Sequence, residues 1–275
     1  MIDIHLAHSP DADDAFMFYG LAQGKVDTGP YRFHHHLDGI EALNQAAAEG
    51  RYEVTALSIH AYAYVSDRYA LLNTGASMGE GYGPLVVARS PMEAAAVDGL
   101  EVGIPGLQTS AWLALRLFAP NVRPRVFSFD RIMDEVAAGT VPAGLIIHEG
   151  QLSYRRQQLH RIVDLGEWWF RQTGLPLPLG GNAIRRDLGP ARMGEISAIL
   201  AASIRYGLEH REEALQYALA FGRGLDRADG DRFVGMYVNA RTLDYGEEGR
   251  RAVQEFLDRG FTAGLIPSKI RVEFF

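Results

Sequence analysis

The chain has 275 residues, enough for one large domain or two of roughly 120 to 150 residues each. Its 47% hydrophobic and 22% charged residues are the composition of a globular chain and exclude a disordered or fibrous one. With 27 Lys and Arg against 34 Asp and Glu the formal charge is −7, which opposes attraction to nucleic acid or an anionic membrane, and the lack of cysteine removes disulfides, thiolate catalysis, zinc–thiolate sites and iron–sulfur clusters.

From the first residues the elements alternate. Residues 2–8 alternate apolar and polar side chains as a strand does. Ser9, Pro10 and Asp11 then supply a helix N-cap, a proline at the first helical position and an early acid, predicting a helix over 10–23. A strand over 31–37, a helix over 39–48 closed by Gly50, a strand over 52–58 and a short helix over 59–64 follow. The start lacks a basic segment with an apolar run and cleavage site, so a cytoplasmic protein is expected. No stretch approaches the roughly 18 continuous apolar residues of a membrane helix, so no membrane association is expected either.

A glycine-rich stretch over 75–84 leads into 85–89, read as a crossing to a second lobe. There the rhythm restarts, with a strand over 100–104, a turn at Pro105 and Gly106, a helix over 109–118, a strand over 125–129, a helix over 131–138 and a strand over 143–147. After 161–165 and the aromatic Trp168, Trp169 and Phe170, residues 175–184 read as a return strand. Pro176 and Pro178 suit an edge or a crossing there better than a central ladder. From Pro190 onward the chain reads as mostly helical. The fold class expected is α/β with two lobes, the second inserted into the first: residues 1–88 with 184–275, and residues 89–183. Ligands of such lobes bind beyond the carboxyl ends of the strands, in the cleft between them.

Four features could carry chemistry at that address. His148 follows an apolar strand at its cleft end, where an imidazole of ordinary pKa near 6.5 is either a general base or an exposed loop residue. Glu149 does not open a zinc-protease motif, because the residue three positions on is Leu152. Thr109 and Ser110 start a helix whose free N–H groups suit a carboxylate or phosphate, although the bland reading is an ordinary N-cap. Ser58 ends the third strand, as a cleft residue or a helix cap, and Asn44 is either a polar cleft residue or a surface one. Ser9 repeats the strand-end theme as cleft lining, while Asp11, Asp13 and Asp14 would repel an anion and are read as first-turn partners of the helix dipole.

Three features are set aside. In a strand at most His34 and His36 of the run His34–His36 share a side, which argues against a metal site. Gly79 to Gly83 lacks the Gly-Lys-Ser/Thr ending of a phosphate loop and is read as a flexible hinge. The aromatic run at 168–170 lines a pocket or packs in the core.

Several segments together resemble one family: 9–19 (SPDADDAFMFY), 54–58 (VTALS) with Ala61 and Tyr62, 81–88 (GYGPLVVA), 144–154 (GLIIHEGQLSY), 164–168 (DLGEW), 173–180 (TGLPLPLG) and 185–188 (RRDL). In this order, nearly end to end, the chain is similar to the 1,4-dihydroxy-6-naphthoate synthases (MqnD) of the futalosine route to menaquinone. The resemblance implies a fold similar to type II periplasmic binding proteins. It also implies a lyase that converts cyclic dehypoxanthine futalosine, a small carboxylate, to 1,4-dihydroxy-6-naphthoate with no cofactor or metal. By the same resemblance His148 is the proton acceptor, as base or nucleophile; Ala56, Leu57 and Ser58, Thr109 and Ser110 are substrate contacts; and Asn44 is a polar cleft residue. A homodimer is expected from family habit alone. Two rivals share the fold: a non-enzymatic binding protein for a small carboxylate, which the lack of an export signal and of a lipidated cysteine opposes, and the related chorismate dehydratase, which the segment around His148 opposes. A transcription-regulator effector is opposed by the lack of a helix-turn-helix segment.

Overall fold

The fold is taken from a computed structural model, in which the described residues are 1–222 and 224–275. In chain order the strands are β1 (Ile2–His8), β2 (Tyr31–Leu37), β3 (Val54–Ser58), β4 (Tyr69–Leu71), β5 (Ser77–Gly79), β6 (Leu85–Ala88), β7 (Glu101–Ile104), β8 (Arg123–Val126), β9 (Ala143–Ile146), β10 (His160–Asp164) and β11 (Leu177–Arg185). They form two sheets, one in the order β2-β1-β3-β11-β4 with β5 beside β11, the other in the order β8-β7-β9-β6-β10.

The two sheets repeat one plan. In the first, β1 pairs parallel with β2 and β3, and β11 runs antiparallel between β3 and β4. In the second, β7 pairs parallel with β8 and β9, and β6 runs antiparallel between β9 and β10. Each antiparallel strand is the one that has just crossed from the other sheet. Residues 85–88, expected to close the first lobe, pair only within the second sheet, and 177–183, expected in the second lobe, pair only within the first.

Local chemistry explains where the elements depart from expectation. The helix expected over 10–23 starts two residues late, with Asp11 and not Ser9 at its N-cap, and is split into Ala12–Met17 and Tyr19–Ala22. The Ser203 hydroxyl enters the split: it donates to the Met17 carbonyl at 3.0 Å and accepts the Leu21 N–H at 3.0 Å, bridging the two groups that an unbroken helix would join directly. Gly20 permits this approach, since a Cβ there would lie 3.1 Å from the Ser203 backbone. In β11, Pro178 faces only β5, while 180–185 carry the ladders to β3 and β4, so the proline sits where one side needs no N–H.

Apolar burial ties the sheets together. One cluster runs from Leu57, Tyr62 and Tyr245 through Trp112 and Leu113 to Val86, Val102 and Trp169. Trp169 packs edge-on against Phe256 and donates its indole N–H to the Pro176 carbonyl, so this tryptophan packs in the core. A second cluster, including Phe16, Phe18, Ile204 and Phe233, covers the outer side of the first sheet with the C-terminal helices. Gly79 and Gly83 serve close packing: a Cβ on Gly79 would meet the Tyr82 carbonyl at 1.9 Å, and one on Gly83 the Gly166 nitrogen at 2.9 Å.

Candidate active site

The carboxyl ends of β1, β3, β7 and β9 converge on a cavity of about 730 Å³, its open mouth included. The repeated plan sets the ends in opposition. The segment after β1 meets the segment after β9 through Asp11 and His148. The segment after β3 meets the segment after β7 where the His60 N–H donates to the Ser110 Oγ at 3.1 Å and the His60 Nδ1 lies 3.2 Å from the Thr109 carbonyl.

His148 is the chemical centre of the first contact. Its Nδ1 lies 2.7 Å from Asp11 Oδ2, and the edge-to-face Phe129 ring stands at 4.8 Å. Its φ of 53° places a side-chain-bearing residue in the left-handed region, a cost that the surrounding structure holds in place. Nδ1 is spoken for, while Nε2 is buried without a hydrogen-bond partner at the cavity. Burial disfavours the charged ring, yet the Asp11 carboxylate, with Glu149 and Asp13, outweighs it and raises the pKa to about 9.

Around this pair the site is acidic. Asp11, Asp13 and Asp14 all line the cavity, and among the described residues neither lysine nor arginine does. Asp14 accepts the Ser9 N–H at 2.7 Å, and burial followed by its two acidic neighbours holds its pKa well above the usual carboxylate range. Asp13 is 9% exposed and its Oδ1 has no partner; burial, then Asp11 and Glu149, raise its pKa to about 7 despite His148. The three acids were expected to serve the helix dipole. Asp13 and Asp14 do lie in the first turn, but the chain turns all three toward the cavity.

The opposite wall is polar and neutral. Asn44 lies behind the lining and is fully buried: its Oδ1 accepts the Ser58 N–H at 2.9 Å and its Nδ2 donates to Ser58 Oγ at 3.1 Å, which leaves the Ser58 hydroxyl proton for another acceptor. Thr109 is a true N-cap, its Oγ1 accepting the Trp112 N–H at 3.2 Å and donating to the Gly106 carbonyl at 3.0 Å. The Thr109 hydroxyl is thus engaged within the protein, while Ser110 Oγ only accepts; what this helix start offers a ligand is the Ser110 hydroxyl proton and the first-turn N–H groups that an α-helix leaves without intrahelical acceptors. Asn182 on β11, 1% exposed, lines the cavity with its Nδ2 unpartnered. Its side chain fills the space that a Cβ on Gly75 would need, 2.0 Å from that nitrogen, and Gly75 has φ +89°. Met17, Ile40, Leu179, Phe233 and Tyr237 supply apolar surface, and the Tyr237 hydroxyl donates to Gln151 Oε1 at 2.7 Å.

Of the residues singled out by sequence, Ser9, Ala56, Leu57, Ser58, Thr109, Ser110 and His148 meet at this cavity, and Asn44 supports Ser58 from behind. Sequence reading passed over Asp11, Asp13, Gln151, Asn182 and Tyr237. The acids carried a signal, their position just past β1. Asn182 and Tyr237 had none, since both come from segments read only as a return strand and a helical tail.

The family described as menaquinone biosynthesis matches residues 4–262. The chain is 44% identical to the 1,4-dihydroxy-6-naphtoate synthase of Thermus thermophilus, over 95% of each chain. It is 35% identical to the enzyme of the same name from Streptomyces coelicolor, over 96% of this chain and 95% of that one. Among solved structures, a protein of Archaeoglobus fulgidus aligns with TM-score 0.92 at 45% identity, over 96% of this chain and 98% of that one. The alkanesulfonate-binding protein SsuA of Xanthomonas axonopodis pv. citri aligns with TM-score 0.72 at 11% identity, over 99% of this chain and 96% of that one; this likeness shows the shared two-lobed binding-protein fold alone.

Proposed function

The chain belongs to the menaquinone-biosynthesis family, and from that premise we propose that it converts cyclic dehypoxanthine futalosine to 1,4-dihydroxy-6-naphthoate as a carbon–carbon lyase, with His148 accepting the proton. The enzyme role follows from the relatives' names and near full-length likeness. The reading of the residues is carried by one observation: Asp11 holds the Nδ1 side of His148 and leaves Nε2 buried and unpartnered at the cavity. A ring so held cannot turn away, and its remaining nitrogen faces the space where a substrate C–H or O–H must lie.

In this reading the aromatic part of the substrate lies against Phe233, Tyr237 and Leu179, its carboxylate takes the helix start at Thr109 and Ser110, and Ala56, Leu57, Ser58 and Ser9 line the remainder. His148 accepts a proton from a hydroxyl or an activated carbon. The released electron pair drives cleavage of the bond to the sugar-derived fragment as the second ring becomes aromatic. The lobe limits that go with this cleft are crossings at 80–84 and 174–176, where the chain passes between sheets. A biosynthetic reaction on a small molecule places the protein in the cytoplasm in this reading, and among the described residues no helix is long and apolar enough to cross a membrane.

The test is to incubate the purified protein with cyclic dehypoxanthine futalosine and follow dihydroxynaphthoate by mass spectrometry between pH 6 and 9. Product is expected. None anywhere in that range contradicts the assignment.

A further inference from the structure

The cavity poses a charge problem. Three carboxyl groups line it, one imidazole faces them, and among the described residues no lysine or arginine lines it. Asp11 is matched by His148 at 2.7 Å. Asp14 is tied to the Ser9 N–H. Asp13 has neither arrangement: it is more than nine-tenths buried, its Oδ1 has no partner among the described residues, and it borders the space that the substrate must fill. A bare carboxylate there would meet an anionic substrate with repulsion in a dry site, whereas a carboxylic acid would meet it with a hydrogen-bond donor.

We propose that Asp13 is a substrate-binding residue that works as a neutral carboxylic acid, donating a hydrogen bond to an acceptor oxygen of the bound molecule, so that binding of an anionic ligand requires a proton on Asp13. The surroundings favour that proton. On its own helix Asp11 and Asp14 flank it; across the cleft His148 and Glu149 face it; from the helix Arg227–Tyr237 the buried Tyr237 hydroxyl approaches. Of the described cations on the neighbouring elements, Arg211 is engaged with Asp231 and over the Phe16 ring, and Lys25 with Glu213. Burial and the neighbouring acids hold the Asp13 pKa at about 7, so the proton is present in mildly acid solution and is lost above neutrality. The choice of Asp over Asn then has a consequence: affinity for an anion falls as the solution becomes alkaline.

This inference rests on the proposed substrate class, so the probe is 2-naphthoate, which shares the aromatic carboxylate and needs no turnover. Wild-type protein is expected to bind it about tenfold more weakly at pH 8 than at pH 6, with uptake of a substantial fraction of a proton near pH 7 when titration heats are compared in two buffers of different ionisation enthalpy. Asp13→Asn keeps the shape and the donor, and is expected to bind at pH 6 within about threefold of wild type and to lose the pH dependence. The proton-uptake measurement needs no variant and decides the matter if Asp13→Asn fails to fold. A pH-independent wild type, or an Asp13→Asn protein that keeps the wild-type slope, overturns the inference while binding itself upholds the substrate class. No binding of 2-naphthoate at pH 6 overturns both.

Discussion

His148 owes its properties to its company. Burial alone would leave a neutral ring, but Asp11 makes it a cation at neutral pH, with about one ring in a hundred uncharged at pH 7 if the pKa is about 9. In its proposed role of proton acceptor His148 must therefore lose its proton first, and kcat is expected to rise about tenfold per pH unit from 7 toward 9. Asp11→Asn removes the charge that sustains the cation. Its limb in the pH profile of kcat is expected below pH 7, with the plateau ten- to a hundredfold lower because the ring is no longer held in place. A purely structural Asp11 would leave the limb where it was. The same shifts govern stability. His148 gains from a raised pKa, a contribution present below about 6.5 and lost as pH climbs to about 9; Asp13, also raised, favours the fold most when protonated and loses that from about pH 4 to 7. The melting temperature is expected to fall from pH 6 to pH 9, and in Asp13→Asn the part of the fall below pH 7 becomes shallower. At this scale the address of His148 was legible in the sequence, because an apolar strand followed by a polar pair marks a cleft end. Its partner was not, since sequence shows no reason for the acids after β1 to reach across to the segment after β9.

At the scale of elements, the two sheets meet through a short-range device beside the cavity. Glu41, on the helix Ile40–Glu49, places its carboxylate against the N–H groups of Leu107 at 3.0 Å and Gln108 at 3.2 Å, in the loop that follows β7. Gly106 has no side chain because a Cβ there would lie 2.3 Å from that carboxylate. Glu41→Ala should loosen the closed arrangement, raising KM three- to tenfold with kcat at saturation little changed, and increasing the radius of gyration measured by small-angle scattering. An unchanged KM and radius would reduce this contact to a surface hydrogen bond. The alternation of strand and helix was readable because strands such as β3 and β9 are short, apolar and buried; β2 matches its expected limits and β7 falls within a residue of them. What escaped was decided at a distance. Ser203 breaks the helix after β1 from a helix far along the chain, and three-residue strands such as β4 and β5 carry too little periodicity to be seen.

Across the whole molecule, one plan used twice explains why the site has two unlike halves. Equivalent strand ends meet crosswise, β1 with β9 and β3 with β7, so one contact became a buried acid–imidazole pair and the other a set of neutral donors at a helix start. The net charge of −7 says little about the ligand, because what a substrate meets is local: first-turn N–H groups, the Asn182 amide, and three acids of which Asp11 is paired with His148. The two-lobed class was legible from the restart of the strand–helix rhythm after the glycine-rich stretch. The crossings were not, because β6 and β11 are antiparallel insertions whose sheet is chosen by pairing partners and not by their own sequence. The claim that unites these scales is that His148 accepts the proton in a dihydroxynaphthoate-forming reaction, and its most direct test is the turnover of cyclic dehypoxanthine futalosine by His148→Ala, measured with 2-naphthoate affinity as the control for an intact site. Loss of kcat by about a thousandfold or more with affinity within about tenfold is the predicted result; product formed at the wild-type rate would contradict it.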